Sequence, residues 1–234
     1  MSKPAKPPAR PAARKSSPAK PQTSRKRVPA EPRAYHHGDL RRVLIDAALE
    51  LTEQGGDEAV SVREAARRAG VSPGAPFRHF PTRAALMTAV AEEAQRRFRA
   101  EIEAATAATA AKDPLTRLRA FGIGYLRWAL RHPAHFEVIS NGKYFSHGQS
   151  AAVAGDNNEL IARTEQLLAE AFAQGQLRAV DLRTARIAGR ALVYGFGRMK
   201  IDGHFPRWGI ADAEAEQMAE AIVTLFIDGI ARPS

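Results

Sequence analysis

The stretch from Ser61 to Arg83, SVREAARRAGVSPGAPFRHFPTR, constrains this chain more than any other. Ser61 with Glu64 three residues on is the capping-box pattern that opens a helix. Val62, Ala65, Ala66 and Ala69 line one apolar face, and Gly70 falls where a helix closes on a left-handed residue. Ser72-Pro73 then offers a hydroxyl cap and a proline at the first helical position, so a second short helix is expected over Pro73–Phe80. Two short helices joined by a glycine-containing turn make a helix-turn-helix unit. Arg63, Arg67, Arg68, Arg78 and Arg83 stand against Glu64 alone, a local charge of +4 suited to nucleic-acid phosphates.

Helical spacing continues on both sides of this unit. Leu40, Val43, Leu44, Ala47 and Leu51 mark a helix with Asp39 as its candidate cap and Gly55-Gly56 as its stop. From Thr82 a long helix is expected, with Leu86, Val90, Ala94, Phe98 and Ile102 at successive i+4 steps. Asp113-Pro114 opens another, which His132-Pro133 breaks. A short helix over Pro133–Ile139 follows, and the polar, glycine-bearing run Ser140–Asp156 reads as a loop. Leu160, Ile161, Thr164, Leu167, Leu168, Ala171 and Phe172 mark a helix stopped by Gly175. The last two helices, Asp181–Met199 and Asp212–Ile230, are apolar on nearly every side, which requires burial on every side. In a small helical body that burial implies a second copy of the chain, meeting it in a four-helix interface.

Charge divides the chain further. Of the net +10, residues 1–34 carry +9, from ten Lys and Arg against Glu31, so the other 200 residues are nearly neutral. That Pro-, Ala- and Lys-rich leader has almost no large apolar residue and is expected to be a disordered arm that adds salt-sensitive affinity for DNA phosphates. With no cysteine there is neither a disulfide framework nor a thiolate metal site. No run approaches a membrane span and the start has no apolar signal region, so an intracellular, cytoplasmic and nucleoid-associated location is expected.

The succession of capped helix, Ala-Gly-Val-Ser, a very short second helix ending in Phe80, and a basic residue with Leu86 opening a long helix resembles the DNA-binding domain of the tetracycline-repressor (TetR) family. The resemblance covers about Gly38 to Arg97. It implies an all-α chain: a three-helix helix-turn-helix domain over 35–97, then a helical effector-binding and dimerisation domain over 98–234, behind the 1–34 tail. Further on, Arg190 to Gly195 resembles the subgroup named for a Trp-His-Gly motif, with Arg and Tyr in place of Trp and His. Double-stranded DNA bearing a near-palindromic operator, a second copy of the chain and a small-molecule effector are the implied partners. Two reading helices would enter successive major grooves roughly 34–36 Å apart.

The DNA-contacting residues expected on this basis are Ser61, Arg63, Ser72, Pro73, Gly74, Ala75, Phe77, Arg78, His79 and Arg83. The small side chains at 73–75 allow close approach to base edges, Arg78 and His79 are the polar readers, and Arg83 matches the family's phosphate anchor. Phe77 stands where the family usually carries a phosphate-contacting tyrosine, and Pro76 removes a backbone donor from the second helix. Aromatic residues concentrate in the C-terminal half. Phe121, Tyr125, Trp128, Phe136, Tyr144, Tyr194 and Met199 are the candidate lining of an effector pocket.

Enzymatic chemistry has no foothold: there is no phosphate loop, no HExxH and no nucleophile–base set. His132 and His135 with His204 can be drawn as a zinc set, but the i, i+3 pair spans a proline, and neither a metal nor another cofactor is expected. The resemblance therefore implies a sequence-specific regulator, a repressor released by its effector. The alternative is a DNA-coating or architectural protein working through the basic tail.

Overall fold

In the computed structural model, the described residues are 37–109, 113–140, 142–144 and 151–233; side chains are described from Leu40 onward and, within 151–156, not at all. The basic leader, Tyr35 and His36 lie outside them. Eight helices make up the described body: α1 (His37–Gly55), α2 (Val62–Arg68), α3 (Arg83–Ala108), α4 (Pro114–Arg131), α5 (Pro133–Ser140), α6 (Ala151–Ala173), α7 (Leu182–Ile201) and α8 (Ala215–Ile230). No strand occurs among the described residues beyond one isolated bridge, where Leu177 pairs with Ala231.

Local chemistry explains most helix ends. The Ser61 hydroxyl accepts the Glu64 N–H at 3.1 Å, as the capping pattern requires. The reciprocal half of the box is missing, because the Glu64 carboxylate is turned to Arg67 instead. At the other end of α2, Gly70 has φ +69°, its N–H reaches the Arg67 carbonyl and the Val71 N–H reaches that of Ala66. These are the two bonds of a Schellman close. Thr82, Asp113 and Asp181 cap α3, α4 and α7 by accepting the N–H three residues on. α1 starts at His37, so Asp39 lies inside its first turn rather than capping it. The expected loop Ser140–Asp156 is also revised, since α6 already begins at Ala151.

The second helix of the reading unit differs more. Instead of an α-helix over Pro73–Phe80 there is a turn, then a single 3-10 turn at Pro76–Arg78. The cause is Pro76. Its ring nitrogen has no proton for the Ser72 carbonyl, which is taken instead by Ala75 N–H at 3.1 Å. His79 and Phe80 then both donate to the Pro76 carbonyl at 2.9 Å. No side-chain hydroxyl caps this turn, so the role expected of Ser72 is not realised.

α3 is the spine. Leu86, Val90, Ala94, Phe98 and Ile102, spaced as the sequence predicts, are all buried along it. It packs against α1 on one side and against α4, α5 and α6 on others. A close approach is at Gly124 of α4, where a Cβ would lie 2.8 Å from the Ala105 Cβ and 3.3 Å from the Ile102 Cα, so only glycine fits without a shift. The buried apolar residues form one cluster running from Leu44 in α1 to Ile230 in α8.

The all-round apolarity of the last two helices is only half used within one chain. α7 buries Ala185, Phe196 and Gly197, and α8 buries Ala215, Ala219, Val223, Ile227 and Ile230. Ile187, Met218 and Leu225 stay exposed, Leu225 at 74%.

Candidate functional site

The reading unit presents a short, mostly small-residue ridge. Ser61, Arg63, Ser72, Pro73, Gly74 and Arg78 are exposed, Ala75 and His79 are half-buried, and Phe77 is 41% exposed. Pro76 and Phe80 are turned inward, and Phe80 lies under the Arg41 guanidinium, 5.5 Å from the ring centre. Of the five arginines counted in the sequence, three already have partners. Arg67 is bound to Glu64, and Arg68 to Glu50 and Gln54. Arg83, expected to anchor a phosphate, instead donates to the backbone carbonyls of Val60, at 2.9 Å, and Asp57. It ties the start of α3 to the loop that leads into α2. Arg63 and Arg78 carry no ion pair among the described residues, which leaves their charge available to a polyanion.

Behind this ridge, the same loop is joined to the segment that follows α5. Lys143 Nζ lies 2.8 Å from the Asp57 carboxylate and 3.3 Å from that of Glu58, and the Tyr144 hydroxyl donates to Asp57. Burial pushes the Asp57 carboxyl up, but the bonds from Lys143 and Tyr144 and the charges of Lys143 and Arg83 outweigh it and hold it below the ordinary carboxylate range. Burial and the bond to Asp57 both raise the Tyr144 phenol.

A cavity of about 360 Å³ opens among α3, α4, α5, α6, α7 and α8. Phe98, Phe121, Tyr125, Phe136, Leu168 and Phe226 supply much of its apolar wall, with Gln95, Thr164, Arg186 and Arg190 as polar points. Phe98 sits against Tyr125 and Trp128, with ring centres 4.8 and 4.9 Å away. Arg190 donates to the Tyr125 hydroxyl and lies over the rings of Tyr125 and Tyr194, at 5.4 and 5.0 Å. Burial raises the Tyr125 phenol, against a smaller opposing pull from Arg190.

Of the seven residues expected to line a pocket, Phe121, Tyr125 and Phe136 do so. Trp128 is buried behind Phe98, Tyr144 is spent on Asp57, Tyr194 packs at the outer side of Phe136 and Arg190, and Met199 is half-buried away from the wall. Gln95, Phe98, Arg186 and Arg190 were missed. Phe98 was legible as a core residue of α3, but no pattern in the sequence says that α3 faces a void.

A second recess lies where α1 meets the α4–α5 joint and is lined by Asp46, Leu49, Glu50, Glu53, Arg97, Trp128, His132 and His135. His204, grouped with these histidines from the sequence, is exposed and outside this group. The third member is Glu53. Its Oε1 lies 2.8 Å from His132 Nδ1 and 3.5 Å from His135 Nδ1. Burial lowers the His135 imidazole below its ordinary value.

Comparison with known proteins agrees with this architecture. The family model "Bacterial regulatory proteins, tetR family" matches residues 44–90, and "Tetracyclin repressor-like, C-terminal domain" matches 118–226. The chain is 31% identical over 153 residues to the HTH-type transcriptional repressor KstR of Mycolicibacterium smegmatis, covering 64% of this chain and 71% of that protein. It is 28% identical to the KstR of Mycobacterium tuberculosis, over 64% of this chain and 66% of that one. Among solved structures, a protein with unknown function from Rhodococcus sp. RHA1 superposes with a TM-score of 0.72 at 29% identity, over 86% of this chain and all of that chain. A tetR-family regulatory protein from Rhodococcus RHA1, at 22% identity and a TM-score of 0.66 over 83% and 98% of the two chains, shares the fold. With the capped helix-turn-helix, the spine helix and both halves matched, the chain belongs to the tetracycline-repressor family of bacterial transcriptional regulators.

Proposed function

We propose that this protein is a sequence-specific transcriptional repressor that holds a near-palindromic operator as a homodimer and releases it when a small molecule fills the cavity. The observation that carries this reading is the double duty of α3. Its residues Leu86, Met87 and Val90 are buried in the reading head, and its residues Gln95 and Phe98 line the cavity. A ligand that repositions Phe98 acts on the same rigid element that carries the head. Release requires that the ligand prefer the DNA-incompetent form; a tenfold drop in affinity needs about 1.4 kcal/mol of that preference. On this reading residues 35–97 form the head, residues 98–234 the effector and pairing domain, and the exposed faces of α7 and α8 the pairing surface. A coating protein that uses the bundle only to dimerise has no need of a lined cavity, so that alternative is not favoured.

Ser61, Arg63, Ser72, Pro73, Gly74, Ala75, Phe77, Arg78 and His79 are the proposed contact set, with Arg78 the principal reader. The test is fluorescence anisotropy of the full chain on duplex footprinted in adjacent intergenic DNA, against a scrambled duplex. Arg78→Ala is expected to remove about 1–3 kcal/mol of the difference between the two. Equal binding of the wild-type protein to both duplexes would overturn the proposal.

A further inference from the structure

We propose that Glu53, His132 and His135 form a binding site for a borderline divalent transition-metal ion, such as zinc, cobalt or nickel, that ties the reading head to the body. The inference does not depend on the effector cavity, which lies elsewhere.

The argument starts from His135. Its side chain is only 5% exposed, and its Nε2 lies 3.0 Å from the Leu49 carbonyl. A carbonyl oxygen accepts and never donates, so Nε2 carries the proton. In the neutral ring Nδ1 is then a bare lone pair, and it faces Glu53 Oε1 at 3.5 Å. Two acceptors are thus aimed at one another inside a recess, an arrangement that a cation between them resolves. A backbone carbonyl holding the far nitrogen is also how metal-binding histidines are commonly oriented.

His132 completes the set. Its Nδ1 lies 2.8 Å from the same carboxylate oxygen, and its ring is stacked on that of His135, at 5.5 Å with 11° between the planes. The three donor atoms all fall within 4.8 Å of one another. Donors on one ion at about 2.0–2.1 Å sit roughly 3.3 Å apart in tetrahedral geometry, so shifts of about an ångström or less close the set. His132 would move its proton from Nδ1 to Nε2, a tautomer change with no net charge. Two imidazoles and one carboxylate select zinc-like ions over magnesium or calcium, and leave a coordination position for water.

The surrounding charge favours a cation. Asp46, Glu50 and Glu53 line the recess with Arg97; Arg97 is paired with Asp46 and Glu93 and Arg68 with Glu50, so three carboxylates in and around the recess face two guanidinium groups and Glu53 pairs with neither. Glu53 belongs to α1, His132 closes α4 and His135 lies on α5, so a bound ion spans two parts of the fold that sequence separates by about 80 residues.

Cobalt titration of the full chain, followed by its visible absorption and by competition with zinc, tests the site. The wild type is expected to take up one ion per chain with a tetrahedral or five-coordinate spectrum and a metal-dependent rise in melting temperature; magnesium gives neither. His132→Asn and Glu53→Gln, at partly exposed positions, are expected to keep the helical circular dichroism of the metal-free wild type and to lose affinity by about 100-fold or more, at or beyond the upper end of losses seen for outer-shell partners. Uptake unchanged in both variants places the ion elsewhere and overturns the proposal, as does the absence of any cobalt uptake by the wild type.

Discussion

Arg83 offers a clean decision between two physical roles. In this fold its guanidinium donates to the carbonyls of Val60 and Asp57 and so holds the loop in front of α2 onto the start of α3. Replacing Arg83 with alanine strands both carbonyls. A hydrogen bond from a charged donor contributes about 1.5–3 kcal/mol when buried. The pair here is half-buried, so water recovers part of the loss, leaving about 1 kcal/mol per bond and about 2 kcal/mol in all. For a chain of this size that lowers the melting temperature by about 4–8 °C. Arg83→Lys keeps the charge, but one ammonium lacks the fork that reaches both carbonyls and recovers only about half. Urea unfolding followed by circular dichroism, alongside DNA binding at two salt concentrations, measures both quantities. A phosphate anchor predicts the reverse: unchanged stability, rescue by lysine, and a salt slope reduced by about one in the alanine variant. Stability of Arg83→Ala within about 0.5 kcal/mol of wild type, with that reduced slope, would refute the clamp.

Other perturbations follow from the same geometry. Phe98→Ala removes a ring packed between Tyr125 and Trp128 and should destabilise by about 3–4 kcal/mol in urea, at the low end for such truncations because one side of the ring already faces the cavity. Leu225→Glu places a charge on the most exposed apolar position of α8 and should leave the monomer folded while shifting sedimentation equilibrium from dimer to monomer. The Asp57 carboxyl lies below its ordinary value in the folded chain, so its stabilising contribution is present above the unfolded value and fades as pH falls through the folded one. Lys143→Ala should therefore flatten the loss of urea midpoint between about pH 5 and pH 3; an acid limb as steep as that of wild type would contradict the assignment.

Much of this architecture was legible because it is written in short-range chemistry. The Ser61 cap, the left-handed Gly70, the Asp113-Pro114 and Asp181 starts and the i+4 stripe of α3 each involve residues within a few positions of one another. What escaped has two sources. The reading segment carries good cap signals for a helix, yet the missing proton of Pro76 cuts it to a turn and one 3-10 turn. The other source is partners far apart in sequence. Arg83 meets Val60 and Asp57, Tyr144 meets Asp57, and Glu53 meets His132, over separations of 23 to 87 residues. Nothing in the sequence marks Arg190 and Gln95 as cavity-lining, because helical spacing reports which side is apolar, not which side borders a void.

The continuity of α3 sets a gain on whatever happens inside the body. From Phe98 to Arg83 is fifteen residues, or about 22 Å of helix axis at 1.5 Å each. A rotation of about 5° around the Phe98 end, too slight to break any packing contact, sweeps the head end through about 2 Å. Hydrogen bonds to base edges tolerate only a few tenths of an ångström. A rod this long therefore turns an adjustment smaller than an atom at one end into a miss at the other.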